Sequence, residues 1–292
     1  MTTNAGVQVT DLGAEDHACL TFGESEELYD LTAAFVRDGL SAGLKVVWLS
    51  DVSSGLAAGE LGRRGVPVTP ALSRGQMTAA GWEGRLLTGR AFRASAAVGW
   101  LAGELESCKR QGFPGLRVAL DMSWALRPVA GIEELPEFEE GIAAALDGST
   151  AAVLCQYDRE RFDPVTLASV GGFHTRAVAA ATYYADTLLR ICRQYAPPGI
   201  RIAGELDFQA ADALGLALAE AVRLGGDVVI NMSALSFVDA RCTLMIADAA
   251  RAAASQSRVV TLQCPPEVGK GFARIGLAGI PGIRLVTNGD LP

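Results

Sequence analysis

The sequence predicts two α/β domains in tandem. Short, almost wholly apolar runs recur along the chain and read as strands covered on both faces, as in a parallel sheet. Between them lie stretches with apolar residues at helical spacing. Pro197-Pro198-Gly199 then separates one alternating series from a second. A chain of 292 residues is long enough for two cores of ordinary size.

In the first series, ACLTF (Ala18 to Phe22) and LKVVWLS (Leu44 to Ser50) are expected strands. The helix between them is expected to take Ser25 as its N-cap and Gly43 as its stop. A Gly- and Arg-containing region follows, and then a helix around Ser95 to Arg110. LRVALDM (Leu116 to Met122) and AAVLCQY (Ala151 to Tyr157) are two further strands, and a helix is expected through Ala177 to Tyr195. That helix and its Pro-Pro-Gly stop make residues 181–198 a linker. The second series reads as strand Ile200 to Ala203, helix Ala210 to Arg223, strand Asp227 to Met232 and helix Ala240 to Ala254. Strand Arg258 to Gln263, helix Glu267 to Ile275 and strand Ile283 to Val286 complete it.

Composition narrows the function. A formal net charge of -8, with no clustered Lys/Arg stretch, argues against a nucleic-acid partner. No apolar run approaches the ~18 residues of a membrane span, and the N-terminus has no secretory pattern, so a cytoplasmic location is expected. The six scattered cysteines suit reduced thiols. The two histidines, His17 and His174, could meet Cys19 or Cys155 in space, but no local ligand spacing marks a metal site and none is expected. GxSxG and GxxxxGK[ST] are both absent, which disfavours a serine hydrolase and a phosphate-cradling loop.

In open α/β sheets, ligands bind beyond the carboxyl ends of the strands. This places Asp51, Asp121, Ser123, Trp124, Gln156, Tyr157 and Asp158 around an expected crevice, with His17 added from the start of the first strand. Trp124 or Tyr157 would stack on a small ligand, and Ser123 or Gln156 would orient it. Equally, both aromatic residues could simply fill the core.

Four stretches are similar to the MEDS family, a sensory module of methanogen and methylotroph proteins. They are DHACLTFGESEEL, GLKVVWLSD, GLRVALDMSWAL and VLCQYDRERFDP, followed by Phe173-His174-Thr175. The resemblance spans residues 10–180, and Thr175 stands where the family commonly has Pro. It implies a core related to P-loop ATPases, used for sensing rather than turnover. No cofactor is implied beyond an unidentified small molecule.

Residues 199–292 resemble a STAS domain, the fold of anti-sigma-factor antagonists. The resemblance rests on Gly204-Glu205-Leu206-Asp207, on Asn231-Met232-Ser233 with Phe237-Val238-Asp239, and on Gly276-Leu277. The family corner is usually Asp-Ser-Ser-Gly, whose serine accepts phosphate from a kinase that is also the anti-sigma factor. Here Asp239 is followed by Ala240, Arg241 and Cys242, with Thr243 as the nearest hydroxyl. The resemblance implies partner docking through Asp239 to Thr243 without the usual phosphoserine. Three readings stay open: a ligand-gated antagonist acting on an anti-sigma factor or related protein, with a homodimer through the first domain; a scaffold with degenerate switches; or a nucleotide enzyme.

Overall fold

A computed structural model describes residues 7–51, 54–223 and 225–287. The chain divides into two compact units at Ala179 and Ala180, each with its own core.

The first unit begins with strand β1 (His17–Phe22), helix α1 (Ser25–Ser41), β2 (Lys45–Leu49), α2 (Ser54–Arg63), α3 (Val68–Ser73) and β3 (Met77–Ala80). A small hairpin, β4 (Leu87–Thr88) and β5 (Ala91–Phe92), precedes α4 (Ala94–Arg110). Strand β6 (Leu116–Asp121), α5 (Leu135–Leu146), β7 (Ala151–Asp158), α6 (Pro164–Gly171) and β8 (Arg176–Val178) complete the unit. Its main sheet has six strands in the order β3-β2-β6-β7-β1-β8, and every pairing in it is parallel. All of β2 and β6 is buried, as is β7 up to its last residue. That burial is the reason these strands read as nearly continuous apolar runs, with Arg117 in β6 and Gln156 in β7 as buried polar exceptions.

Successive residues of a strand face opposite sides of the sheet. On β7, Gln156 turns to α1, where its Nε2 donates to Thr32 Oγ1 at 2.7 Å. Cys155 and Tyr157 turn to the other side, into the core that also holds Phe138 of α5 and Leu101 of α4. Arg117, near the start of β6, is buried because both ends of its guanidinium are satisfied. Nη1 donates to Phe35 O (2.8 Å), Nη2 donates to Leu12 O (3.0 Å), and the group lies 4.8 Å from the Phe35 ring. Gly115 precedes β6 where a Cβ would stand 2.4 Å from Thr150 O, so no larger residue fits that approach.

The second unit runs β9 (Thr182–Ala185), β10 (Leu189–Tyr195), β11 (Pro198–Leu206), α7 (Ala211–Arg223) and β12 (Val228–Asn231). It continues through β13 (Leu235–Val238), α8 (Ala240–Ala254), β14 (Val260–Cys264), α9 (Pro266–Arg274) and β15 (Ile283–Thr287). Its seven-stranded sheet has the order β15-β14-β12-β11-β10-β9, with β13 also on β11. The β9-β10-β11 part is an antiparallel meander and the remaining pairings are parallel. The first half of β11 pairs β12 and the second half pairs β13, the latter with a register shift between Gly204 and Glu205. Gly204 carries φ +104°, and a Cβ there would lie 1.9 Å from Leu188 O.

One stretch departs outright from the sequence expectation. The helix expected through Ala177 to Tyr195 is absent, and residues 181–198 are no linker: β8, β9 and β10 occupy the segment. The apolar run there is short. Thr182, Tyr183, Tyr184 and Ile191 favour extended backbone, and β10 pairs on both sides, with β9 and β11. Asp186 makes the turn by accepting the backbone N–H groups of Leu188 and Leu189, both at 2.8 Å. Pro197 then falls in the tight connection between β10 and β11 rather than at a helix end. The cap of α1 also differs: Glu24 takes the N-cap position, and Glu27 Oε2 reaches back to accept Gly23 N at 3.3 Å.

Candidate functional site

Three places gather chemistry-bearing residues. The first is the carboxyl edge of the parallel sheet. Asp121 ends β6 with both carboxylate oxygens engaged: Oδ1 accepts Ser123 N (2.9 Å) and Ser123 Oγ (2.7 Å), and Oδ2 accepts Asp51 N at 3.3 Å. Asp51 forms an exposed pair with Arg127, whose guanidinium stacks 4.8 Å from the Trp82 ring. At the end of β7, Asp158 Oδ1 accepts Glu160 N at 3.0 Å and makes the following turn.

Between β1 and α1, where an ATPase would carry its phosphate loop, only Gly23 and Glu24 intervene. Buried Glu27 fills the first turn of α1, accepts Gly23 N and lies 3.7 Å from Arg159. The amide just ahead of the α1 N-cap is thus held by a carboxylate of the same helix.

Several residues expected at this crevice lie elsewhere. Trp124 is fully buried, its ring 4.4 Å from that of Phe92. Gln156 and Tyr157 are fully buried as well, on opposite faces of the sheet. Asp51, Asp121 and Ser123 do come together; Trp124, Gln156 and Tyr157 are core. His17 belongs to a different place altogether.

That second place is a buried polar cluster between the sheet, α5 and the end of α6. His17 (β1), Glu139 (α5), Cys155 (β7) and His174 (after α6) present one ligand-type atom each, all within 4.8 Å of one another. His17 Nε2 lies 3.0 Å from Glu139 Oε2, and His174 Nε2 lies 3.4 Å from the same oxygen. Cys155 Sγ is 3.5 Å from His17 Nε2 and 3.6 Å from Glu139 Oε2. The Tyr157 hydroxyl donates to Glu139 Oε1, and the two imidazoles pack at a tilt of 43° with centroids 4.1 Å apart.

Electrostatics follow from this packing. Burial alone would raise the Glu139 carboxyl, but the hydrogen bond from His17 leads the effects that reverse the sign and hold it below the usual carboxylate range. Burial pushes His174 down to about 4 against the pull of Glu139, so its imidazole is neutral. Burial and the nearby carboxylate push the Cys155 thiol and the Tyr157 phenol well up.

The sequence expectation of no metal site rests on missing local spacing, and here four distant segments bring the donors together. Glu139 escapes sequence reasoning because no motif surrounds it. The available signal is a carboxylate placed among Leu135, Phe138, Ile142 and Leu146, the buried face of α5. Beside the cluster lies a pocket of about 310 Å³ lined mainly by apolar side chains, including Leu126, Leu135, Phe162 and Val170. Phe162 packs edge-on against Tyr157 at 5.1 Å, and Val170 O accepts from His174 Nδ1 at 2.8 Å.

The third place is the β13–α8 corner of the second unit. Asp239 caps α8, its Oδ1 accepting Cys242 N at 2.7 Å. Ala240 and Arg241 are exposed. Thr243 turns its hydroxyl back to Asp239 O at 2.7 Å. Cys242 is corrected from the docking surface to the core: it is fully buried, its Sγ donates to Asp207 O at 3.2 Å, and burial lifts its thiol to about 12. Phe208, Phe237 and Leu244, half or more exposed, come from the segments that meet at this corner.

Comparison with known proteins agrees with this division. The family model described as the methanogen/methylotroph, DcmR sensory domain (MEDS) matches residues 16–175, and one described as Mlab, STAS domain matches residues 190–287. No curated protein matches the chain. Among solved structures, the flagellar accessory protein FlaH of Methanocaldococcus jannaschii is similar with a TM-score of 0.45 and 10% identity, over 64% of this chain and 82% of that one. A KaiC-like protein of Pyrococcus horikoshii OT3 is similar with a TM-score of 0.46 and 10% identity, over 65% of this chain and 88% of that one. The MEDS match alone covers more than half of the sequence, and the chain belongs to the MEDS sensory-domain family, with a STAS domain following.

Proposed function

We propose that this protein is a cytoplasmic signalling regulator whose MEDS unit senses a small molecule or partner and whose STAS unit passes the state on by docking an anti-sigma factor or related protein. The observation that carries this reading is the corner itself. Asp239 is spent as a cap, Arg241 stands in solvent as a permanent cation, and exposed Phe208, Phe237 and Leu244 come from the adjoining segments. A cation beside exposed aromatic and aliphatic side chains is the composition of a protein-docking hot spot. The Thr243 hydroxyl is tied to Asp239 O, which disfavours it as a phosphate acceptor. Docking is therefore constitutive at this corner, and control comes from the sensory unit.

Six buried thiols, none in a disulfide, support a reducing compartment. Among the described residues no helix is long and apolar enough to cross a membrane. Turnover of nucleotides is disfavoured by the two-residue β1–α1 connection and by Glu27 at the helix end. The test is affinity capture from the source cell with the full chain and with Arg241→Glu, with mass-spectrometric identification. The expected result is an anti-sigma-type protein retained by the former and lost by the latter. No such protein, or equal retention by both, overturns the reading.

A further inference from the structure

We propose that His17, Glu139, Cys155 and His174 form a closed tetrahedral centre for a divalent transition metal, zinc in the first place. The spacing of the donor atoms suits one. Ligand bonds of about 2.0 to 2.3 Å in a tetrahedron set donor-to-donor edges of about 3.3 to 3.8 Å. Four of the edges found here are 3.0, 3.4, 3.5 and 3.6 Å, and every pair lies within 4.8 Å. Nitrogen, oxygen and thiol sulfur are the donor types that zinc takes.

A hydrogen-bond conflict in the cluster is one that a cation resolves. His174 Nδ1 donates to Val170 O, which fixes the tautomer and leaves Nε2 as a bare lone pair. That lone pair faces Glu139 Oε2 at 3.4 Å, acceptor against acceptor, and Nε2 has no hydrogen-bond partner. Two acceptors aimed at one another in a dry core are unfavourable unless a positive charge lies between them. A ring N–H held by a backbone carbonyl is also the usual outer support of a metal-ligating histidine.

Charge balances as well. One carboxylate and one thiolate offset a dication, and imidazole binds a metal as a neutral ligand, so the loaded centre carries no net charge into the core. On binding, the Cys155 S–H bond breaks, the S–metal bond forms, and one proton leaves to solvent. His17 moves the ring proton that Nε2 gives to Glu139 over to Nδ1, which has no hydrogen-bond partner of its own, and offers Nε2 to the metal. With four protein ligands and no open position, the centre is a structural one. It ties α5 and the segment after α6 to β1 and β7, next to the apolar pocket.

The experiment uses the full chain, stripped with a chelator and titrated with cobalt(II) in a weakly buffered indicator solution. The expected result is one cobalt per chain, the intense visible bands of tetrahedral cobalt, a thiolate-to-cobalt charge-transfer band and one proton released. Zinc should then displace the cobalt stoichiometrically. Cys155→Ser should abolish the charge-transfer band and weaken binding by more than about 100-fold, beyond the range seen for outer-shell changes. Cys108→Ser, at a thiol held by Gly115 O away from the cluster, should leave both unchanged. The wild-type titration stands without any variant: a folded chain, verified by circular dichroism, that binds no cobalt and carries no zinc when isolated overturns the proposal. So does a charge-transfer band that survives in a folded Cys155→Ser.

Discussion

At the scale of single residues, side chains divide by what surrounds them. Trp124 and Arg241 are both, by sequence, candidates for contact with something outside the chain. Trp124 is wholly buried against Phe92, and Arg241 is exposed. Trp124→Ala should therefore cost about 3 to 5 kcal/mol of unfolding free energy, read by denaturant melts. An aromatic lining an open crevice would cost far less. Arg241→Glu should leave stability within about 0.5 kcal/mol while partner capture is lost. Asp239→Ala removes the cap on α8 and should cost about 1 kcal/mol, measured the same way. A full loss of folding from that change would give Asp239 a role beyond capping.

At the scale of elements, the second unit depends on strands that local sequence predicts as a helical linker. β10 lies directly on β11, with β11 from Pro198 to Gly204 in register against it. A fragment of residues 199–292 would expose that edge of β11 and remove Leu189 and Ile191 from the core. It should aggregate or unfold without cooperativity, whereas residues 180–292 should melt in one transition. Equal behaviour of the two fragments would show that the hairpin is dispensable. Within β11, Gly204→Ala meets both a positive φ and a Cβ 1.9 Å from Leu188 O. The strain alone should cost about 1 to 2 kcal/mol, and the close approach should add to it.

At the scale of the whole molecule, the proposed role is regulation without nucleotide turnover, and the carboxyl edge of the first unit's sheet supports it. The β1–α1 connection is two residues long and a buried glutamate holds its amide. The purified chain is expected to hydrolyse neither ATP nor GTP. Steady phosphate release that changes in Glu27→Gln would contradict this directly. Incubation with an anti-sigma kinase and ATP should likewise leave Asp239 to Thr243 unmodified by mass spectrometry.

The α/β class, the central strands and the α8 corner were legible in local sequence. β2, β6 and β7 are buried on both faces, so their sequences are mostly apolar, and the Asp239 cap is a local hydrogen bond within three residues. Three other matters were settled only by long-range packing. Residues 182–195 became a pair of strands, because β11, on which they pair, is itself anchored to β12 and β13 further along the chain. Gln156 and Tyr157 alternate along β7, but which partner each meets, Thr32 of α1 on one side and Glu139 of α5 on the other, was set by how those helices pack. His17, Glu139, Cys155 and His174 met at one point. Register between β1 and β7, the facing of α5 and the reach of the segment after α6 set that meeting, and none of these is written in local spacing.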